Sequence, residues 1–150
     1  MAPLSGFSRK EWTRQLGFEK FGRFGYVSQT KINPLLSYLE KGQIAATKCK
    51  KCGRTYFPPR AECLDCRHST IEWVVVDGRS KLITFTQVFF APPAFQHETP
   101  YMLGLAELTN GLRVFAPVSP AVEKEQLKPG VELTLKVAKG SRDNLYYWLE

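Results

Sequence analysis

Four cysteines packed into an 18-residue stretch limit what this chain can fold into more than any other feature. Cys49-Lys50-Lys51-Cys52-Gly53 forms one C-x2-C knuckle. Cys63-Leu64-Asp65-Cys66 forms a second, after ten intervening residues. A two-residue gap lets both sulfurs of a knuckle reach one ion. Ten residues suffice for a hairpin or loop that returns the second pair. Structural Zn²⁺ takes four protein ligands in a tetrahedron, and thiolates serve it well. The spacing predicts a compact ribbon with Cys49, Cys52, Cys63 and Cys66 on a structural zinc. Disulfides suit a secreted chain, and residues 1–10 lack the apolar stretch of a signal peptide. A redox C-x-x-C needs only one pair, usually in a βαβ setting that this sequence lacks.

Iron in a four-thiolate site is the main competitor. Arg67 counts against it, because it stands where a glycine would follow the second knuckle. Four protein ligands leave no open coordination position for an activated water. The metal is therefore expected to hold the ribbon together, not to do chemistry. Between the knuckles, Tyr56-Phe57-Pro58-Pro59-Arg60 is stiffened by its prolines. Arg60 is thus presented on a rigid loop, and its guanidinium fork suits phosphate.

The net charge is +7, unevenly spread. Residues 1–70 carry 13 Lys+Arg against 5 Asp+Glu, whereas residues 71–150 carry 8 against 9. A basic first half suits a polyanion, an anionic ligand or an acidic partner surface. No run approaches the ~20 apolar residues that span a bilayer. With no membrane or secretion signal, a cytoplasmic location is expected.

Along the chain, Ser8–Glu11 has the form of a capping box. Residues 16–26 then mix aromatics, glycines and basic residues, fit either to fold back on the core or to dock as an arm on another protein. Asn33-Pro34 predicts a helix with Asn33 as N-cap and Gly42 as its stop. A short strand over 43–47 is expected to lead into the cysteines. From residue 71 the period changes to two: Ile71, Trp73 and Val75 alternate up to a turn at Asp77-Gly78. Runs at 81–90 and 101–108 follow. Asn110-Gly111 signals a two-residue hairpin, residues 121–127 a short helix, and Val131 to Val137 a half-buried strand. Residues 145–149 are expected to close the sheet. The fold class expected is mainly β: an N-terminal extension and helix (1–42), a zinc ribbon (43–70) and a small antiparallel OB-fold barrel (71–150).

Catalytic groups are scarce. The cysteines are committed to metal, His68 and His97 are isolated in sequence, and neither a nucleophile elbow nor a phosphate-cradling glycine loop is present. This favours a binding or accessory role.

The run from Cys49 to Cys66, with Gly53, Phe57-Pro58-Pro59-Arg60, and then Trp73, Asp77-Gly78, Thr84-Phe85-Thr86, Pro100-Tyr101 and Leu108-Thr109-Asn110-Gly111, resembles the acyl-CoA-associated OB-fold proteins that carry an N-terminal rubredoxin-like zinc ribbon. The resemblance covers residues 34–150. It implies a small accessory subunit of a two-component thiolase or thiolase-like aldolase. The partner, a thiolase-superfamily catalytic subunit, would supply the catalytic residues. The accessory chain would bridge the complex and help hold CoA or acyl-CoA. Arg54, Phe57, Arg60, Arg67 and Lys81 are the expected CoA contacts, since Arg forks pair strongly with phosphate. Two other readings compete. One is a single-stranded nucleic-acid binder, disfavoured because the barrel half is slightly negative. The other is a scaffold that binds protein only.

Overall fold

The computed structural model describes residues 31–140 and 144–150. The capping box at Ser8–Glu11 and the aromatic stretch 16–26 lie outside the described residues.

Helix α1 (Pro34–Glu40) starts with Pro34, whose fixed φ suits the first helical position. Its Leu35, Leu36 and Leu39 are buried. Asn33 precedes it with φ −49° and ψ −36°, and its side chain makes no cap bond, contrary to the sequence expectation. A capping side chain needs extended backbone to bring its oxygen over the first turn. Gly42 ends the helix as expected, at φ 70°, with its N–H on the Leu39 carbonyl at 2.9 Å.

The ribbon is a three-stranded antiparallel sheet ordered β2-β1-β3, made of β1 (Ala45–Cys49), β2 (Thr55–Tyr56) and β3 (Ile71–Val75). The expected strand at 43–47 lies two residues later, because the Gln43 N–H bonds back to the Tyr38 carbonyl at 2.9 Å. The alternating segment at 71–75 is a strand, as its period demands. It pairs with β1, from Ala45↔Val75 to Cys49↔Ile71, and so joins the ribbon sheet; the barrel sheet starts only at residue 79. The chain turns between the two sheets at Asp77-Gly78. There the Leu135 carbonyl lies so close to Gly78 that no Cβ fits, and the Leu135 N–H bonds the Gly78 carbonyl at 2.7 Å.

Five strands form the second sheet: β4 (Arg79–Val88), β5 (Tyr101–Leu108), β6 (Arg113–Pro117), β7 (Glu132–Lys139) and β8 (Leu145–Leu149), ordered β6-β5-β4-β7-β8. A parallel bridge between Val118 and Leu149 closes it, with the Ser119 N–H on the Leu149 carbonyl at 2.7 Å. This is the strand order of an OB-fold. Strand β4 serves two neighbours because a register shift between Leu82 and Thr84 bends it. The β5–β6 turn has three residues, not two. The Leu108 N–H bonds the Leu112 carbonyl at 2.7 Å, and Gly111 takes φ 79° at the left-handed position such loops require. The helix expected at 121–127 shrinks to one 3₁₀ turn, Lys124–Gln126, with no side-chain cap. Of residues 121–127 only Leu127 is buried, so the segment lacks the packed apolar face that holds α1 as a helix. Leu127 itself joins the barrel core.

One cluster of buried side chains joins the two modules. Leu35, Leu39, Ile44, Ala46 and Val76 from the helix and ribbon are continuous with Leu82, Ala106, Leu108, Val114, Leu133, Leu135 and Leu149 of the barrel.

Candidate functional site

The four cysteine sulfurs lie within 4.8 Å of one another. Cys49 ends β1, fully buried, and Cys63 is 2% exposed; Cys52 is exposed and Cys66 half-buried. The two knuckles repeat one backbone pattern. The Gly53 N–H bonds the Cys49 carbonyl and the Arg67 N–H bonds the Cys63 carbonyl, each at 2.9 Å. The Cys49 N–H bonds the Arg54 carbonyl at 2.8 Å, and the Cys63 N–H the His68 carbonyl at 2.9 Å. Gly53 has φ 74° and Arg67 φ 52°. Arg67 thus takes the left-handed backbone in which glycine is the usual residue. Its presence therefore does not separate zinc from iron, as the sequence had suggested.

The donor set fits a tetrahedral metal. With metal–sulfur bonds of ~2.3 Å, a tetrahedron has sulfur–sulfur edges of ~3.8 Å. The Cys52–Cys63 separation is 3.6 Å. Four sulfurs this close cannot all be anions without a cation among them. Cys66 is pushed up to about 12 by its hydrogen bonding with Cys52, and then by burial and by Cys63. A coordinated cation reverses this, since a ligating thiol is deprotonated outright. Cys63 is pulled down to about 6, first by the Tyr56 hydroxyl and next by the Cys66 N–H. Tyr56 is correspondingly raised to about 12, chiefly through the same bond to Cys63. The Tyr56 oxygen and the Cys63 sulfur lie 3.2 Å apart. Metal ligands are thus in place, held by neighbouring donors.

Of the five expected CoA contacts, three arginines sit on the ribbon. Arg54 is bound by Asp65, with Nη1 at 2.7 Å from Oδ2 and 2.8 Å from Oδ1. Arg60 and Arg67 are exposed. The Arg60 backbone is pinned to fully buried Thr47: its N–H donates to Oγ1 at 2.8 Å, and that hydroxyl donates to its carbonyl at 3.0 Å. The Phe57 ring packs on Tyr147 of β8 with centroids 5.3 Å apart, tying ribbon to barrel. Lys81 stands apart on β4, in register between Glu107 and Glu132. The two histidines do not join the metal cluster. His68 faces the Lys51 ammonium at 3.4 Å, and His97 faces Glu98 at 3.4 Å.

Sequence reasoning missed a second surface. A groove of ≈ 1290 Å³ runs along β5 and β6, walled by the Pro93–Pro100 loop and by β8, and including Phe95, Tyr101, Leu103, Phe115, Pro117 and Trp148. OB-folds present ligands on this face, between the loops that follow the first and fourth strands. In β5, Gly104, Ala106 and Leu108 point into the core, yet Tyr101, Leu103 and Leu105 on the opposite side are also apolar. Leu105 pairs with Phe115, which is 61% exposed, and Phe89 and Phe90 at the end of β4 are 60% and 96% exposed. A strand apolar on both sides is the mark of a strand covered on both sides. That pattern over 101–108 was visible in the sequence.

Ribbon and barrel each match a known family profile. The profile described as ChsH2, rubredoxin-like zinc ribbon domain, covers residues 37–72, and that described as ChsH2, C-terminal OB-fold domain, covers residues 73–138. A DUF35 domain-containing scaffold protein of Pyrococcus furiosus is 34% identical over 111 residues, which is 72% of this chain and 80% of the relative. This chain belongs to the DUF35 family. A second relative of the DUF35 chain is the benzoylsuccinyl-CoA thiolase subunit BbsA of Thauera aromatica, 33% identical over 98 residues, 65% of this chain and 67% of the relative. The match to a DUF35 scaffold protein of Methanocaldococcus jannaschii spans only about half the relative, 54% of its length. In fold, the DUF35 chain is similar to the solved Ltp2-ChsH2(DUF35) aldolase, with a TM-score of 0.64 at 20% identity over 75% of this chain and 87% of that one. Among the described residues no helix is long and apolar enough to cross a membrane.

Proposed function

We propose that the DUF35 chain is a non-catalytic accessory subunit of a thiolase-type acyl-CoA complex, with zinc as the structural metal at Cys49, Cys52, Cys63 and Cys66. The observation that carries this reading is the apolar outer side of β5 and β6. Half-buried Tyr101, Leu103 and Leu105 and exposed Phe115 give the sheet an apolar outer side, on a chain whose thiols are grouped for metal binding. An exposed apolar face of this kind marks an interaction site. The relative BbsA is by name a thiolase subunit, which supports a thiolase-superfamily catalytic subunit as the partner. CoA or acyl-CoA is then the shared ligand, with exposed Arg60 and Arg67 as the best placed of the expected contacts.

A protein-only scaffold is the second reading. It is favoured by Arg54 and Phe57, which are already engaged by Asp65 and Tyr147.

The test is affinity purification of the tagged chain from its native host, followed by mass spectrometry of the intact complex. A thiolase-superfamily subunit in fixed stoichiometry is expected, and it should be lost in Phe115→Glu while the metal content stays the same. Recovery of the wild-type chain alone refutes the reading. Titration calorimetry with CoA on the recovered complex then separates the two readings, since a scaffold gives no heat of binding.

A further inference from the structure

Tyr56 has one hydroxyl proton and two groups competing for it. Its side chain comes from β2, next to the first knuckle, and reaches across to the second. The Leu64 N–H donates to its oxygen at 3.1 Å. The hydroxyl is 3.2 Å from Cys63 Sγ and 3.0 Å from Asp65 Oδ2. A phenol carries a single donor hydrogen, so it cannot serve both acceptors fully. A bare carboxylate would win over a metal-bound thiolate, because it is the harder and more localised anion. Asp65 is not bare, however. Arg54 Nη1 contacts both carboxylate oxygens, at 2.7 and 2.8 Å, and the charge of the guanidinium weakens Oδ2 as an acceptor.

We propose that the Arg54–Asp65 pair directs the Tyr56 proton to the Cys63 sulfur, making Tyr56 a positioning residue that tunes this one thiolate toward its metal. Arg54 thereby acts through two intermediaries on the metal centre. A hydrogen bond to a ligand sulfur disperses its charge and fixes its direction, and losing such an outer partner typically lowers metal affinity ~10–100-fold. The inference is independent of any partner subunit or CoA.

The experiment uses the full chain loaded with zinc or with Co²⁺. Zinc affinity is read by competition with a chromophoric chelator, and the sulfur-to-cobalt charge-transfer band reports the thiolates directly. Tyr56→Phe keeps the ring and removes the proton; it should weaken zinc ~10–100-fold and move the cobalt band. Arg54→Leu should do the same, because the freed Asp65 carboxylate now captures the proton. Arg54→Leu combined with Asp65→Ala should restore both readouts most of the way, since no competitor remains. Where Tyr56→Phe fails to fold, the Arg54 single and double variants, which leave Tyr56 in place, decide the question. Unchanged affinity and band in Tyr56→Phe overturn the proposal. So does a double variant as weak as Arg54→Leu alone, because a simple brace of the ribbon would lose with each deletion and regain nothing.

Discussion

The closure of the barrel can be tested at one glycine. A Cβ placed on Gly104 of β5 would lie 2.9 Å from Leu149 Cδ1, 3.1 Å from Leu82 Cδ1 and 3.3 Å from Val118 Cγ2. Leu149 is fully buried, and Leu82 and Val118 are nearly so. Leu149 also pairs with Leu135 and forms the bridge to Val118, so its backbone is held on both sides. Gly104→Ala therefore overpacks the seam, at a cost of ~1–3 kcal/mol. Leu149→Ala removes the nearest obstacle and opens a cavity instead, at ~2–5 kcal/mol. In the double variant the new methyl enters the vacated space and each change relieves the other. The combined loss should fall short of the sum by ~1–2 kcal/mol. Urea unfolding of the metal-saturated protein, followed by far-UV circular dichroism and tryptophan fluorescence, measures all three variants. Additivity within ~0.5 kcal/mol would refute the packing described at the Val118–Leu149 bridge.

Three further outcomes follow from the ribbon and its junction with the barrel. Chelation at neutral pH should unfold the ribbon and lower the melting temperature of the barrel as well, because the two share one core; a melting curve unchanged by chelator contradicts this. Arg67→Gly should be neutral or stabilising by at most ~1.5 kcal/mol, since left-handed backbone costs a non-glycine residue ~1–2 kcal/mol and glycine loses ~0.5–1 kcal/mol in chain entropy; a clear loss in thermal unfolding would show that the Arg67 side chain holds the knuckle. Burial raises the Tyr147 hydroxyl above the ordinary tyrosine range, so the fold favours its neutral form. That contribution is complete below pH ~10 and is lost as pH rises through the folded value. Tyr147→Phe should therefore withstand alkali better than wild type, and equal alkaline midpoints would refute the assignment.

The ribbon was legible because its ligands are covalently spaced: C-x2-C twice, ten residues apart, leaves little freedom about which sulfurs meet. The barrel strands were legible because period two persists through Val131, Leu133, Leu135 and Val137, and β-branched or aromatic residues fill 81–88. What a period cannot tell is which sheet a strand joins. Ile71, Trp73 and Val75 alternate like any half-buried strand, and only the long-range pairing with Ala45–Cys49 assigns them to the ribbon. Short-range propensity likewise overstated the 121–127 helix, of which only Leu127 is buried, and the Asn33 cap, where the backbone is helical and not extended. The Tyr56–Asp65–Arg54 chain stayed hidden for a different reason. Arg54 and Tyr56 follow the first knuckle and Asp65 sits inside the second; Arg54 was expected to meet CoA, and nothing in the sequence marked Tyr56 or Asp65 as its neighbours until the fold brought the knuckles together.

The unbroken cluster from Leu39 to Leu149 has a consequence for anyone who cuts or grafts this chain. There is no dry seam along which it can be halved. A barrel excised at Arg79 would turn to water the side chains that Leu35, Ile44 and Val76 had kept dry. A transplanted ribbon would carry the same greasy underside to a host with no matching floor. The cysteine clasp and the strands beneath it are inherited as a single object, and a swap at either end has to repaint both.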